Sequence, residues 1–223
     1  MHVINSRIER PSKALIEKAR QTWACIAGGE AGRRNVMDPG LRPLKRDWRF
    51  AGPAVTVSAE NPFDTLLSQV ATLMAEPGDV LVIDAGGRTE VAAWGATMTW
   101  GAKTHGIAGI IVDGAVLTTE LLIDHEGVPV FARGSVAQSI GGGHGPGSIN
   151  VPIVCGGAIV NPGDLILADE DGIVVLPLRE ADKLLTAAGQ GRAQPYPPAG
   201  RSKPYDQRGY IEKLKAIEGI EWR

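Results

Sequence analysis

Residues 79–84 read DVLVID, residues 107–113 read IAGIIVD and residues 128–134 read VPVFARG, and these three apolar runs decide the fold. Each has the length and composition of a buried strand. Residues 90–105 lie between the first two runs and are long enough for a helix, while residues 118–124 supply a shorter helical piece before the third. Strand, helix and strand in succession predict parallel strands joined by crossovers.

The chain before these runs predicts two further helices and a strand. Residues 13–27 carry apolar side chains at helical spacing behind Ser12, which predicts an amphipathic helix with a serine N-cap. Residues 28–48 mix glycine, proline and five basic side chains, which is typical of an ordered loop. AGPAVTV at residues 51–57 predicts a strand, and Asp64 is placed to cap the helix that follows.

The chain after these runs predicts antiparallel pairing. Strand candidates at residues 149–155, 165–168 and 173–177 are separated by short turns, which favours a meander over crossovers. We therefore predict a mixed α/β domain over residues 1–190. Residues 191–223 are expected to form a C-terminal arm with a short amphipathic helix, which packs either on a neighbouring subunit or on its own body.

Composition narrows the class of protein. The chain has 223 residues, 43% of them hydrophobic, and its 23 Lys and Arg residues nearly balance 25 Asp and Glu residues, giving a net charge of −2. This balance disfavours a nucleic-acid binder, which needs a basic surface to track phosphates. Neither a secretory signal nor an apolar stretch of about 18 residues for a membrane span is present. We expect a cytoplasmic protein without membrane contact.

The two cysteines indicate no functional site, whereas the glycines are concentrated in one part of the chain. Cys25 and Cys155 lack the spacing of a disulfide or zinc framework, so both are interpreted as small core side chains. Of 29 glycines, 18 fall within residues 78–163, where backbone geometry or backbone contact with a ligand must matter.

The segment Gly95-Ala96-Thr97-Met98 is the first candidate for a binding site. It offers backbone N–H groups near the start of a helix, where small residues let a carboxylate or phosphate approach. The alternative is close helix-to-sheet packing at Gly95. The segment matches neither the dinucleotide-binding glycine pattern nor a P-loop.

Charged side chains near the strand ends form a second set of candidates. Asp84 and Asp113 each end an apolar strand, so the two carboxylates either hold a divalent cation together or cap the following turns. Arg133 pairs either with an anionic ligand or with a structural carboxylate. Lys103 either reaches a carboxylate or is a solvated helix residue. Histidines without a paired metal ligand are interpreted as surface or loop residues; these are His105, His125 and His144.

Successive blocks of the chain resemble one known family. These blocks are MDPGLRPL (37–44), AGPAVTV (51–57), PGDVLVID (77–84), WGATM (94–98), GIIVDGA (109–115), PVFARG (129–134), INVPIVCGGAIVNPGD (149–164) and ADEDGIVVLP (168–177). They resemble the RraA-like family, which contains the 4-hydroxy-4-methyl-2-oxoglutarate / 4-carboxy-4-hydroxy-2-oxoadipate aldolases and the protein regulators of ribonuclease E. The resemblance implies an α-β-β-α sandwich related to swivelling phosphohistidine-type domains, assembled as a homotrimer or hexamer with sites between subunits.

The resemblance also implies a chemistry. The family's enzymes are class II pyruvate aldolases, in which Mg²⁺ or Mn²⁺ polarises a small 2-oxo acid and the same chemistry decarboxylates oxaloacetate. The substrate carboxylate is held by a glycine turn and an arginine, and the metal by the aspartate after that arginine, in a motif like DGAVRD. Here DGAVLT places Leu117 at the arginine and Thr118 at the metal aspartate, and Ala96 stands at the acidic position of the turn.

The resemblance therefore gives a candidate site with altered anchors. The expected substrate-binding residues are Gly95, Ala96, Thr97, Met98, Leu117 and Arg133. The expected metal-binding residues are Thr118, Asp113 and Glu120. The favoured function is a carbon–carbon lyase for small 2-oxo acids; the alternatives are a non-catalytic RraA-like regulator that binds a protein partner, and a diverged enzyme for another small carboxylate.

Overall fold

The structure, a computed structural model, describes residues 2–59, 61, 64–124, 127–138 and 145–190. Its α-helices within these ranges are α1 (Lys13–Arg20), α2 (Ala24–Ala31), α3 (Leu66–Met74), α4 (Ala96–Thr104), α5 (Thr119–Asp124) and α6 (Ala181–Gln190). Its strands are β1 (His2–Ile4), β2 (Arg42–Pro43), β3 (Phe50–Ala59), β4 (Val80–Trp94), β5 (Gly109–Val116), β6 (Val130–Ser135), β7 (Gly147–Ile149), β8 (Ile153–Cys155), β9 (Ala158–Val160), β10 (Leu165–Asp169) and β11 (Gly172–Leu176).

A mixed central sheet organises the molecule, with strand order β1-β7-β3-β4-β5-β6-β2. The pairs β3–β4, β4–β5 and β5–β6 are parallel, and each is joined by one of the helices α3, α4 and α5. The predicted crossovers are therefore confirmed. Because these strands are parallel, their carboxyl ends meet at one edge of the sheet, where α4 and α5 begin.

Three buried clusters separate four layers. One cluster packs α3, α4 and α5 against one face of the central sheet, and a second packs the other face against β8 to β11. The third lies between β10 and β11 on one side and α1, α2 and α6 on the other. The pairs β8–β9 and β10–β11 are antiparallel, as predicted for this part of the chain. The expected α-β-β-α sandwich is confirmed.

Strand β4 is the largest departure from the sequence prediction. A helix was expected over residues 90–105, whereas β4 continues to Trp94 and α4 starts only at Ala96. The strand passes through Gly86 and Gly87, whose φ angles are +65° and +72°, and resumes pairing with β5 after register shifts. These glycines bulge the strand without ending it. The fully buried indole of Trp94 then fixes its last residue in the core.

The expected helix over residues 13–27 is in fact two helices. Ser12 caps α1 as predicted, since its Oγ accepts a hydrogen bond from the Leu15 amide at 3.2 Å. A second helix starts at Ala24 because Oδ2 of the buried Asp169 accepts the Ala24 amide hydrogen at 2.8 Å. Helix α2 then runs to residue 31, into the stretch expected to be a loop.

Three further predictions concern the cap of α3, the C-terminal arm and membrane spans. Asp64 does start α3, with Oδ1 accepting the Leu66 amide hydrogen at 3.0 Å. The predicted arm over residues 191–223 lies outside the described residues and stays a prediction. None of the helices in the described ranges has the length and hydropathy that crossing a bilayer requires.

Candidate functional site

The Gly95 turn joins the end of β4 to the start of α4. Gly95 has an extended backbone with φ −158° and ψ −178°, so its conformation does not itself require glycine. A Cβ at residue 95 would lie 3.3 Å from the Leu117 Cδ1 atom, so Leu117 would have to shift by a few tenths of an ångström. The close neighbour of Gly95 is therefore the β5–α5 connection, whereas the packing alternative raised from the sequence was helix against sheet.

Thr118 caps the N-terminus of α4 from the neighbouring connection. Its Oγ1 accepts a hydrogen bond from the Ala96 amide at 3.1 Å, and its hydroxyl donates to the Leu117 carbonyl oxygen at 2.6 Å. The first turn is further fixed by Thr99, whose Oγ1 donates to the Gly95 carbonyl oxygen and accepts from the Trp94 indole N–H. The start of α4 is therefore rigid.

Two amide groups of this turn remain for a ligand. Within the described residues, the N–H groups of Thr97 and Met98 have no hydrogen-bond acceptor, as is usual in the first turn of a helix. The helix dipole adds positive potential at the same point. The predicted anion-binding character of residues 95–98 thus rests on these two groups, since the Ala96 amide is used by Thr118.

A cavity of about 200 Å³ opens beside this turn, between α4 and α5. Its lining is largely apolar, with Trp100 and Leu121 as the large side chains. Lys103 is the one charged residue of the lining among the described residues. The complete lining is Ala96, Thr97, Thr99, Trp100, Lys103, Leu121 and Gly127. An oxo acid of a few carbon atoms fits this volume.

Leu117 and Met98, both expected to bind the substrate, lie outside the lining of this cavity. Leu117 packs on Gly95, and Met98 packs against the first core cluster while lining a separate cavity between α3 and α4. Neither residue is part of the lining of the cavity beside Lys103. Trp100 and Leu121 were not among the site residues predicted from the sequence. The pattern that identifies Trp100 is helical spacing, because Ala96, Trp100 and Lys103 follow each other at intervals of four and three residues along one face of α4.

Arg133 and Asp113 form a separate structural ion pair. Arg133 Nε lies 2.5 Å from Asp113 Oδ1, and Arg133 Nη1 lies 3.2 Å from Asp38 Oδ1. The other Asp113 oxygen accepts the Gly156 amide hydrogen at 2.7 Å. No hydrogen bond or ion pair within the described residues links this cluster to the Gly95 turn. The structural alternative for Arg133 is thus the one observed.

Ionisation in this cluster follows from the contacts. Burial alone would lower the pKa of Arg133, but the hydrogen bond and charge of Asp113 outweigh it and raise that pKa. The pKa of Asp38 is lowered, chiefly by the hydrogen bond from the Gly40 amide and then by the charge of Arg133. Burial, with the charge of Asp113 next, raises the pKa of the Cys155 thiol well above its usual value. Cys155 is therefore a protonated core side chain at neutral pH.

The remaining candidates are placed as follows. Asp84 takes the capping role, since Oδ1 accepts the Gly86 amide hydrogen at 2.9 Å and Oδ2 accepts from the Ser58 hydroxyl at 3.1 Å. His105 is half-buried after the last residue of α4. Cys25 is exposed on α2, so its interpretation as a core side chain was wrong. His125 and His144 lie outside the described residues.

The expected metal ligands do not make a fitting donor set. The Thr118 hydroxyl is neutral and already bonded to backbone, and both Asp113 oxygens are engaged by Arg133 and Gly156. Glu120 is exposed in the first turn of α5. In the part of the chain that the structure describes, no three His, Cys, Asp or Glu side chains are placed to share a metal ion. A divalent cation needs several anionic or carbonyl oxygens, which these residues do not offer.

Comparison with known proteins places this fold and sequence in one family. The family model described as RraA-like, Aldolase/RraA, matches residues 24–175. A Halalkalibacterium halodurans protein named "Putative 4-hydroxy-4-methyl-2-oxoglutarate aldolase" is 38% identical over 171 residues, which is 76% of this chain and 79% of that protein.

Solved structures agree with this assignment. Streptomyces coelicolor RraAS2, described as an unusual member of the RNase ES inhibitor RraA protein family, superposes with a TM-score of 0.72 at 25% identity, over 95% of this chain and 100% of that one. The RNA-processing inhibitor RraA from Thermus thermophilis gives a TM-score of 0.58 at 30% identity, over 64% of this chain and 84% of that one. The protein described here therefore belongs to the Aldolase/RraA family.

Proposed function

We propose that the protein is a carbon–carbon lyase that acts on a small 2-oxo acid, and that decarboxylation of oxaloacetate is its reaction. The observation that carries the proposal is the cavity of about 200 Å³ at the start of α4, whose lining includes Thr97, Lys103 and an apolar wall. The aldolase name of the 38% identical relative supports the lyase class.

Binding begins at the carboxylate next to the 2-oxo group. The Thr97 amide donates to it, and the positive end of the α4 dipole stabilises its charge. The Lys103 ammonium, on the last turn of the same helix, adds the positive charge of the cavity. An acid anchored in this way has its far end against Trp100 and Leu121.

The chemistry follows from where charge is lost and gained. In oxaloacetate the bond between C3 and the C4 carboxylate breaks, carbon dioxide leaves, and the electron pair moves to the 2-oxo oxygen as an enolate. A cation near that oxygen stabilises the charge as it develops, which is the role we assign to Lys103. The apolar wall disfavours the charged leaving carboxylate more than neutral carbon dioxide. Water then protonates the enolate carbon to give pyruvate.

Aldol cleavage demands one group more than decarboxylation does. Cleavage of 4-hydroxy-4-methyl-2-oxoglutarate requires a base that removes the proton of the 4-hydroxyl group. Among the described residues that line the cavity, none is a carboxylate or a histidine. Loss of carbon dioxide needs no such base, so oxaloacetate is the better supported of the two substrates.

The test measures pyruvate release from oxaloacetate with EDTA present, with the spontaneous reaction subtracted. Lys103→Met keeps the aliphatic stem and removes the charge. Lys13→Met is the matched control, because Lys13 is an exposed residue of α1. A charged contact contributes about 1.5–3 kcal/mol, so K103M is expected to lower kcat/KM by about tenfold to a hundredfold and K13M to leave it unchanged. Turnover no faster than the spontaneous rate, or equal rates for K103M and the unaltered protein, contradicts the proposal.

The second candidate function is binding of a protein partner. It is favoured by exposed apolar side chains on the layer of α3 to α5, including Trp100 at 75% and Leu73 at 67% exposure. Two solved relatives are described as RNA-processing or RNase ES inhibitors. We propose that this layer is the one used, either between copies in a homotrimer or hexamer or with an endoribonuclease. Light scattering tests the first, and a pull-down at micromolar concentration tests the second; absence of both complexes rejects this role.

A further inference from the structure

Residues 117 and 118 have structural roles that differ from those expected of their family counterparts. Thr118 has φ +56°, a left-handed conformation that is strained for a β-branched side chain and that Asp or Asn adopts more readily. Backbone geometry therefore favours the aspartate of the family motif, and the threonine must be explained by its contacts. Those contacts are the hydrogen bonds to the Ala96 amide at 3.1 Å and to the Leu117 carbonyl at 2.6 Å.

The threonine hydroxyl is thereby bonded to the backbone through its hydrogen and through one of its two lone pairs. The oxygen accepts one backbone hydrogen and the hydroxyl hydrogen is donated to a backbone carbonyl. The result is an N-cap for α4 supplied from another part of the sequence, 22 residues away. A cation at this oxygen would compete with the Ala96 amide for the oxygen's electron density and would gain only a neutral ligand.

Leu117 closes the same turn from its other side. Its amide donates to the Trp94 carbonyl oxygen at 3.1 Å, and its side chain lies against Gly95. The position of the family's arginine is therefore occupied by an aliphatic group packed on the start of α4. An aliphatic side chain has no charge and no hydrogen-bond donor, so it does not bind a carboxylate as an arginine does.

None of three acidic side chains in the described residues, Asp84, Asp113 and Glu120, supplies the missing ligand. Asp113 is neutralised by Arg133, Asp84 caps its own turn, and Glu120 is exposed in the first turn of α5. Within the described residues, no group of three metal-ligating side chains exists.

We infer that residues 117 and 118 have been converted from a cation anchor into a helix cap and an apolar cover, so that the Gly95 turn holds no divalent cation. The inference concerns the site of the proposed function and does not depend on whether the protein is a lyase. Lys103 of α4 is then the source of positive charge among the described residues that line the acid-binding cavity.

The experiment measures Mn²⁺ binding by electron paramagnetic resonance on the full chain, using Mn²⁺ alone as the probe. The unaltered protein, Thr118→Val and Thr118→Asp are compared. We expect no Mn²⁺ binding that depends on residue 118 in the unaltered protein, so that T118V and the unaltered protein give the same free Mn²⁺ signal, and we expect T118D, which adds one anionic oxygen donor, to bind Mn²⁺ more strongly than either. Stoichiometric binding that T118V abolishes overturns the inference.

A thermal melt keeps the inference testable if T118D does not fold. For the unaltered protein and for Thr118→Ser, the melting temperature in Mn²⁺ is expected to equal that in EDTA. T118V is expected to melt at a lower temperature than the unaltered protein in both solutions, because the cap is lost. A rise in melting temperature with Mn²⁺ that T118V lacks again overturns the inference. Failure of the lyase assay changes neither readout, so the two proposals fail separately.

Discussion

Replacement of Arg133 by methionine should destabilise the fold far more than loss of an ordinary surface ion pair. The Asp113 side chain is only 8% exposed, and its Oδ1 depends on Arg133 Nε at 2.5 Å. Arg133→Met keeps an unbranched apolar stem of similar length but leaves this carboxylate buried without its counter-charge. The perturbation is therefore the isolation of a buried charge rather than the loss of a packing contact.

The size of the effect follows from burial. Removal of one partner from a buried ion pair costs about 3–5 kcal/mol. The Arg133 side chain is 24% exposed, so water reaches part of the pair, and the lower end of the range, about 3 kcal/mol, applies. For a domain of this size, about 3 kcal/mol corresponds to a fall in melting temperature of about 6–12 °C.

Urea unfolding followed by circular dichroism measures this free energy. Arg46→Met is the matched control, because Arg46 is 93% exposed and pairs with Glu170 at 3.3 Å; its loss should cost less than about 1 kcal/mol. In the double variant with Asp113→Asn, the isolated charge is gone, so it should be more stable than R133M alone. Additive effects of the two substitutions, or an R133M cost no larger than that of R46M, refute the reasoning.

Two further predictions concern backbone contact and pH. Gly52→Ala should destabilise the fold by about 3 kcal/mol, because the new Cβ would clash with a backbone carbonyl oxygen. Gly101→Ala on α4 should stabilise it by up to about 1 kcal/mol, because the new Cβ meets nothing within 4 Å. Urea unfolding measures both free energies, and equal effects of the two substitutions contradict the packing. The pKa of Asp38 is lowered by the Gly40 amide first and by Arg133 next, so its stabilising effect is present above its ordinary pKa and is lost as pH falls through the lowered one. Below about pH 4, Asp38→Asn should therefore lose less stability on acidification than the unaltered protein, and parallel acid profiles reject this assignment.

The sequence predicted those parts of the fold that depend on local pattern. Apolar runs of six or seven residues identified β4, β5 and β6, because buried parallel strands lack polar alternation. Ser12 and Asp64 were identified as caps because a cap bonds to an amide only two or three residues further along the chain. Both patterns are formed by residues that are close in sequence, so they are recognised without knowledge of tertiary contacts.

Two of the failures, at α2 and at β4, involve partners that are distant in sequence. The break before α2 depends on Asp169, which lies 145 residues from Ala24. The continuation of β4 depends on Trp94 pairing with Val116 after the glycine bulge, and glycines taken alone indicate a strand end. In each case a tertiary contact overrides the local pattern.

The candidate site shows the same division. The Gly95 turn was found because its residues are contiguous, and the structure places an acid-sized cavity beside it. Whether Arg133 served a ligand or a carboxylate could not be decided from sequence, because its partners Asp113 and Asp38 are 20 and 95 residues away.

The cavity lies where ligands bind in folds of this kind. In open α/β sheets, ligands bind beyond the carboxyl ends of the parallel strands, which is where α4 and α5 start in this fold. At that edge the guanidinium of Arg133 is held by two carboxylates, Asp113 and Asp38. Among the described residues that line the cavity, Thr97 at the first turn of α4 and the ammonium of Lys103 are available to a bound acid. Such a site discriminates by size and by a single negative charge, so a second carboxylate on the ligand is bound against an apolar wall, which is the condition that favours its loss as carbon dioxide.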